Sequence, residues 1–222
     1  MNRISEVSYR AVSLTTASRF AEASDLYRGV FGYHDPVYGL NPRLLGALAS
    51  NGGSVVGILD ESDRLVAFAY GFCGTDRRSF YHYSQSAVVA IDQQGRGLGR
   101  MLKHAQREVA LSHGLNRMRW TYDPAQIRNA HFNLDVLGAR GRWFAPDMYG
   151  PGTDRVIVEW DLTLEQPAEV DDDALTRLVV PDDSAELRRS FEELLGKGLA
   201  AVSCRLGPDD TAAYYFGPVD DV

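Results

Sequence analysis

Cysteine is scarce in this 222-residue chain: only Cys73 and Cys204 are present, far apart and outside any metal-ligand spacing. That leaves no disulfide framework to read and points to a reduced compartment. A basic excess is missing too. Thirty acidic residues against 23 basic ones give a net charge of −7. This argues against binding duplex nucleic acid or an anionic membrane, while leaving room for a local basic cleft. No window approaches the ~20 apolar residues needed to span a bilayer. Met1 to Arg10 lacks the apolar core of a signal peptide, so a cytoplasmic protein is expected. No His, Asp and Glu cluster has metal spacing, and no metal is expected. Internal repeats and low-complexity tracts are lacking as well.

What is present is an ordinary globular composition, 45% hydrophobic and 24% charged, enough for a real core. Val7 to Leu14 reads as a first strand. From Thr15 or Thr16 to Phe31 the spacing turns helical, with Phe20, Ala23, Tyr27 and Val30 on one side and Gly32 closing it. Pro42 to Leu48 suggests a second helix. Three β-rich runs follow, Ser54 to Leu59, Leu65 to Cys73 and Phe80 to Ala90, the first two joined by the acidic turn Asp60 to Asp63. Leu98, Leu102, Ala105 and Val109 then fall on one helical face, ended by Gly114. Met118 to Tyr122 is a strand candidate. Asp123-Pro124-Ala125-Gln126 has the pattern of a capping box opening a helix that runs to Gly138. Val156 to Leu162 is a further strand. Beyond Leu164, Gln166 to Asp173 reads as an acidic connector. A helix through Leu187, Phe191, Leu194 and Leu195 comes next, then a hairpin of Ala200 to Leu206 and Ala212 to Phe216 around Gly207 to Asp210. Sheet meanders with interspersed helices give an α+β or mixed α/β class.

The most informative segment is Gln94-Gly95-Arg96-Gly97-Leu98-Gly99, between a β-run and an amphipathic helix. Glycines there offer bare backbone N–H groups, and the helix N-terminus adds partial positive charge, so a phosphate is stabilised without lysine. A Walker-type loop would need Gly-Lys-Ser/Thr five residues after Gly95, where Arg100 and Met101 stand. A dinucleotide fingerprint needs a third glycine where Arg100 lies, within a parallel βαβ unit. The bland alternative, a glycine-rich turn into a helix, does not account for three alternating glycines, which cost backbone entropy.

With those residues in view, the segment resembles the acyl-CoA diphosphate loop of the GNAT superfamily of N-acyltransferases, written Arg/Gln-x-x-Gly-x-Gly/Ala. The order of strand, loop, helix, strand and helix over residues 83 to 137 is similar too. Trp120 to Pro124, Arg128 to Leu134, Leu137 to Ala139, Tyr149-Gly150 and Thr153 to Arg155 look like one GNAT branch, mostly acetyltransferases without assigned substrates. The resemblance implies a central, mostly antiparallel sheet flanked by helices and splayed between strands 4 and 5. It covers residues 1–163 as the core. Residues 164–222 look like that branch's helix–hairpin extension, packed on the core or on a partner subunit, as in a homodimer.

It also implies a chemistry. Ala87, Val88 and Val89 would lie along the pantetheine of acetyl-CoA or another acyl-CoA, and Gln94, Gly95, Arg96, Gly97, Leu98 and Gly99 would wrap the diphosphate. Backbone N–H near Val88 or Val89 would polarise the thioester, and the amine of a small-molecule acceptor would attack directly. An alkylammonium of pKa near 10.4 is only about one part in a thousand free amine at pH 7.4. A base is therefore useful, worth roughly 10²–10⁴ in rate. His82, Asp123, His131 and Tyr149 are the candidates. Each has a structural alternative: Asp123 as a helix cap, His131 and Tyr149 as packed, hydrogen-bonded side chains, His82 as part of an aromatic sheet face. Leu134 falls where many GNAT enzymes carry the tyrosine that protonates the departing thiolate, which moves that role to His131, Tyr149 or water. Asn129 and Asn133, one turn apart, could orient pantetheine amides or the acceptor, or line a polar cleft. Arg77-Arg78 and Arg140 with Arg142 are candidates for the 3′-phosphate, or are solvated charge. The rival readings are a GNAT-fold transferase using an aminoacyl-tRNA or carrier-protein donor, and a non-catalytic acyl-CoA-binding module.

Overall fold

The computed structural model describes residues 8–77, 79–164, 174–207 and 211–218. The connector expected over Gln166 to Asp173, Pro208 to Asp210 of the last turn, Arg78 and the first seven residues lie outside that set. The chain divides into two compact units, Met1–Met118 and Arg119–Val222.

In the first unit β1 (Arg10–Ser13), β2 (Ser54–Leu59), β3 (Leu65–Thr75) and β4 (Phe80–Val89) pair antiparallel in chain order. β2 is buried at every position, because both its faces are covered. Val55 packs with Phe20 and Ala23 of α1 (Ala17–Phe31) and Leu45 of α2 (Pro42–Ser50). Val56 and Ile58 pack instead with Leu98 and Leu102 of α3 (Leu98–Ser112). That two-sided burial is why the sequence shows an uninterrupted apolar run instead of alternation. Thr16 caps α1, its side chain accepting from the Arg19 N–H, and Gly32 ends it at φ 67°. The β2–β3 turn is tied by the Asp60 carboxylate, which accepts from the backbone N–H groups of Ser62 and Arg64. β3 pairs with β4 through a register shift at Tyr70/Gly71, where Ser84 and Ser86 face consecutive β3 residues and Gln85 is extra. Such a bulge bends and twists the strand.

In the second unit the sheet order is β5 (Arg117–Tyr122, whose first two residues precede the unit), β7 (Arg155–Asp161), β6 (Arg140–Ala145), β9 (Leu199–Leu206), β10 (Ala212–Pro218) and β8 (Thr176–Val179). β6 meets β9 at Gly141 opposite Ala201. A Cβ at Gly141 would lie 3.0 Å from both the Ala201 Cβ and Val156 Cγ1, so any side chain there would press its neighbours aside by a few tenths of an ångström. The core is aromatic: Phe191 of α5 (Ser184–Gly196) sits edge-on to Tyr214 at 4.9 Å and to Phe216 at 5.3 Å, and stacks on Phe144 at 5.8 Å. The Arg188 guanidinium of the same helix clamps Asp147 and Asp154, with contacts of 2.6 to 3.1 Å.

Two expectations need correction here. The single helix expected from Ala125 to Leu137 is instead a short α4 (Ile127–His131) that widens into a π turn over Phe132–Val136. Asp123 does not cap it: its Oδ1 accepts from the Ala125 N–H in a local turn, and Gln126 is the residue at the cap, without a side-chain bond. β6 and β8 carry no clean periodicity, β6 because it mixes arginines and a glycine with its apolar residues, β8 because it has four residues and is mostly exposed. Among the described residues no helix is long and apolar enough to cross a membrane.

Candidate functional site

The glycine loop follows β4 through one 3₁₀ turn, Ile91–Gln93. Gly95 and Gly97 hold φ of 78° and 79°, the left-handed region that disfavours any side chain. A Cβ at either would meet nothing within 4 Å, so open space faces both positions. Gly97 occupies the cap of the 15-residue α3 and no side chain caps it. The first N–H groups of such a helix have no intrahelical acceptor and carry the positive end of its dipole. Gln94, Gly95, Arg96 and Gly97 are exposed. The loop is held from behind: Gln94 Nε2 donates to the Val89 carbonyl at 3.3 Å, and Arg96 Nη1 donates to the Tyr9 hydroxyl, which donates to Gln93 Oε1 at 2.7 Å. Of the three preceding strand residues, Val88 is buried in the α1–α2 core, Val89 packs towards α3 and Ala87 is exposed. All the expected donor-binding residues except Asn129 and Asn133 are thus consecutive pieces of one strand–loop–helix turn.

Beneath that turn lies a chain of buried polar groups. Lys103 Nζ donates to Ser84 Oγ (2.8 Å), which donates to Gln106 Oε1 (2.8 Å); Gln106 Nε2 donates to Ser54 Oγ (3.0 Å), which meets His82 Nε2 at 2.8 Å. His82 is fully buried, against Gly71, whose added Cβ would lie 2.5 Å from the ring nitrogen. Burial, with the nearby Lys103 and His113 charges, pushes the His82 imidazole down to about 4, and burial alone pushes the Lys103 amine down to about 7. Burial thus disfavours the charged form of each, and His82 is neutral at pH 7. The tautomer of His82 decides which of Ser54 Oγ and His82 Nε2 donates, and Nδ1 has no hydrogen-bond partner among the described residues. Only His82 of this chain stood out in the sequence. The others are Ser54 on β2, Ser84 on β4, and Lys103 and Gln106 three apart on α3, and no local pattern joins the three elements.

In the second unit the structure brings His131, Asp135, Ser203 and Cys204 together. His131 Nδ1 lies 2.9 Å from the Cys204 carbonyl and 3.1 Å from Asp135 Oδ2. Both oxygens only accept while the carboxylate is ionised, so Nδ1 carries the proton. Asp135 in turn accepts from Ser203 Oγ (2.5 Å) and from the Cys204 N–H (2.9 Å). Nε2 has no partner among the described residues, and the side chain is 52% exposed. Asp135 was not singled out in the sequence, although its place four residues after His131 on one helical segment was a usable signal. Asn133 is buried, accepting from Trp120 Nε1 at 2.9 Å and donating to Asn129 Oδ1 at 3.2 Å. Tyr149 is exposed, with the Arg155 guanidinium 5.4 Å from its ring centre and its backbone N–H on Thr153 Oγ1. Leu134, at the position of the missing tyrosine, is buried. Arg140 and Arg142 donate within the unit, to the Val202 carbonyl and to Glu159. Arg77 is exposed at φ 73°. Cys73 sits on the emergent end of β3 and is exposed. Among the described residues no group of His, Cys, Asp and Glu could hold a metal ion.

No family model and no curated protein matches this sequence. Solved structures do match. An aminoglycoside 6′-N-acetyltransferase complexed with coenzyme A aligns over 72% of this chain and 99% of its own, at 13% identity and a TM-score of 0.53. The ribosomal-protein-S18-alanine N-acetyltransferase from Escherichia coli aligns over 74% and 100%, at 15% identity and 0.52. A spermidine N-acetyltransferase chimera from Vibrio cholerae and hSSAT aligns over 70% and 96%, at 12% identity and 0.54. The chain has the GNAT fold. At these identities the likeness is one of fold, and the acceptors named differ from each other. The resemblance read from the glycine loop and the Trp120 to Gly138 block agrees with it.

Proposed function

We propose that the protein is an acyl-CoA-dependent N-acyltransferase that moves an acetyl or other acyl group directly to the amine of a small molecule. One observation carries the reading: an exposed loop in which two left-handed glycines, with open space where side chains would be, lead into the uncapped N-terminus of a 15-residue helix. That arrangement suits the CoA diphosphate, since several backbone N–H groups and a helix dipole converge on one anion. Arg96 and Arg100, both exposed, flank the turn and add positive charge. An acyl-CoA bound there would supply an activated thioester. The chain's part is to hold the diphosphate at residues 94 to 99, to run Ala87–Val89 along the adjoining arm, and to direct a backbone N–H at the thioester oxygen.

A base for the acceptor ammonium is the second requirement. Of the four residues expected for it, Asp123 has one oxygen engaged by the Ala125 N–H, and His82 is buried with Nε2 hydrogen-bonded to Ser54 Oγ. His131 has the arrangement of a general base, with Nδ1–H fixed by two acceptors and Nε2 unspent. Tyr149 retains its hydroxyl and is a candidate acid. The fold neighbours that act on aminoglycosides and spermidine support a small amine as acceptor.

The test is thiol release from acetyl-CoA in the presence of an amine panel. Turnover with at least one amine, lost in Gly97→Asp, is the expected result. The burial of Leu134 where a tyrosine hydroxyl would be favours one second reading, a binding module without catalysis. Tight CoA binding with no thiol release across the panel would establish it instead.

A further inference from the structure

β4 changes faces part-way along its length. Ser84 pairs with Gly71 and faces α3, where Lys103 and Gln106 reach it. Beyond it Ser86 pairs with Tyr70 and Val88 with Phe68, and Phe68, Tyr70 and Val88 pack in the α1–α2 core. Side chains two apart on a regular strand share a face, so the extra residue, Gln85, is what reverses the set. Without it Ala87, Val88 and Val89 would each turn to the opposite face. The bulge therefore decides how that segment is presented.

Ser84, the last residue before the bulge, is held by two hydrogen bonds. Its Oγ accepts from Lys103 Nζ and donates to Gln106 Oε1, both at 2.8 Å, and all three side chains are buried. An apolar side chain could fill the place of Lys103 without the cost of burying an amine. Apolar contacts are non-directional, whereas a satisfied buried network specifies one arrangement. Lys103 and Gln106 stand three apart on α3, the helix capped by Gly97. The two bonds thus tie the strand before the glycine loop to the helix after it.

We infer that Lys103 and Gln106 are positioning residues for the CoA donor: by fastening Ser84 they hold the β4 bulge in one place relative to the α3 N-terminus, so that one CoA engages Ala87–Val89 and the diphosphate loop together. The inference rests on the acyl-CoA reading above. Both residues are buried and act through Ser84, not on the ligand. What this brace supplies is a simultaneous fit. A ligand of two linked parts gains roughly 10²–10⁴ over either part alone, and loses it when geometry forbids both contacts at once.

Calorimetric titration of the full chain with CoA, with pantetheine and with ADP tests it. In the unaltered chain CoA should bind about a hundredfold more tightly than either part, or better. Lys103→Met and Ser84→Ala should each weaken CoA about tenfold or more, while pantetheine and ADP bind as before. Ser84→Thr, which keeps the hydroxyl, should retain the CoA affinity. Ser54→Ala cuts the far end of the same polar chain, where it meets His82, and should lower the melting temperature without changing the preference for CoA. CoA affinity unchanged in Lys103→Met and Ser84→Ala would overturn the brace. An equal fall for all three ligands would overturn it too, since that marks a general loosening of the fold. No CoA binding by the unaltered chain would overturn the acyl-CoA reading, and the brace with it.

Discussion

His82 and His131 each hydrogen-bond through one ring nitrogen, but the two units use them in opposite ways. The first unit seals His82 under Gly71 and ends on it a chain of buried polar groups that starts at a lysine. The second leaves His131 about half exposed, holds its Nδ1 between the Cys204 carbonyl and the Asp135 carboxylate, and leaves Nε2 without a partner among the described residues. A histidine in a sequence is the same symbol in both settings. What separates structure from chemistry is which groups the tertiary fold presents to its two nitrogens, and whether solvent reaches the second.

The contrast can be broken by substitution, and the largest effect belongs to the sealed side. Gly71→Ala should be severely destabilising, because the new Cβ would lie 2.4 Å from the Tyr83 carbonyl oxygen and 2.5 Å from His82 Nε2. Denaturant unfolding should show a loss at or above the roughly 1–3 kcal/mol usual for overpacking. His82→Ala should cost about 2–5 kcal/mol by the same measurement, as other buried large-to-small changes do.

Lys103 sharpens the comparison through pH. The unfolded chain keeps the lysine proton to near 10.5, whereas the fold keeps it only to about 7. Between those values the unfolded state binds more protons, so stability rises with pH across that window and the penalty is complete below it. Thermal melts should show this rise flattened in Lys103→Met, by up to about 1.4 kcal/mol per pH unit. An unchanged slope would mean the amine is not sealed as described. Arg188→Ala comes next: it removes the clamp on Asp147 and Asp154, and a small drop in melting temperature is expected, since solvent and salt screen such a pair network. The smallest effect is at the open side. His131→Ala should change stability by no more than about 0.5 kcal/mol while altering the pH–rate profile if the acyl-transfer reading holds.

How far the sequence could be read differs between the units for the same physical reason. In the first, local signals agree with the fold: Thr16 and Gly32 bound α1, the apolar run at Ser54 to Leu59 is a strand covered on both faces, and the glycines at 95 and 97 take the backbone conformation that only glycine adopts freely. In the second, tertiary packing overrides local pattern. Asp123-Pro124-Ala125-Gln126 has the form of a capping box, yet the helix starts later and broadens into a π turn. β6 is a strand because β7 and β9 pair with it, not because of its own alternation. The candidate site divides along the same line. The diphosphate loop is contiguous and visible, while the Lys103–His82 chain and the His131–Asp135–Ser203–Cys204 cluster join residues up to 73 positions apart.

The central claim is that the loop at residues 94 to 99 grips a CoA diphosphate. Calorimetric titration with CoA and with pantetheine, on the full chain and on Gly97→Asp, tests it most directly. CoA should bind far more tightly than pantetheine, and Gly97→Asp should abolish most of that difference by setting a carboxylate where the diphosphate would lie. Equal affinity for the two ligands, or CoA binding untouched by Gly97→Asp, would contradict it.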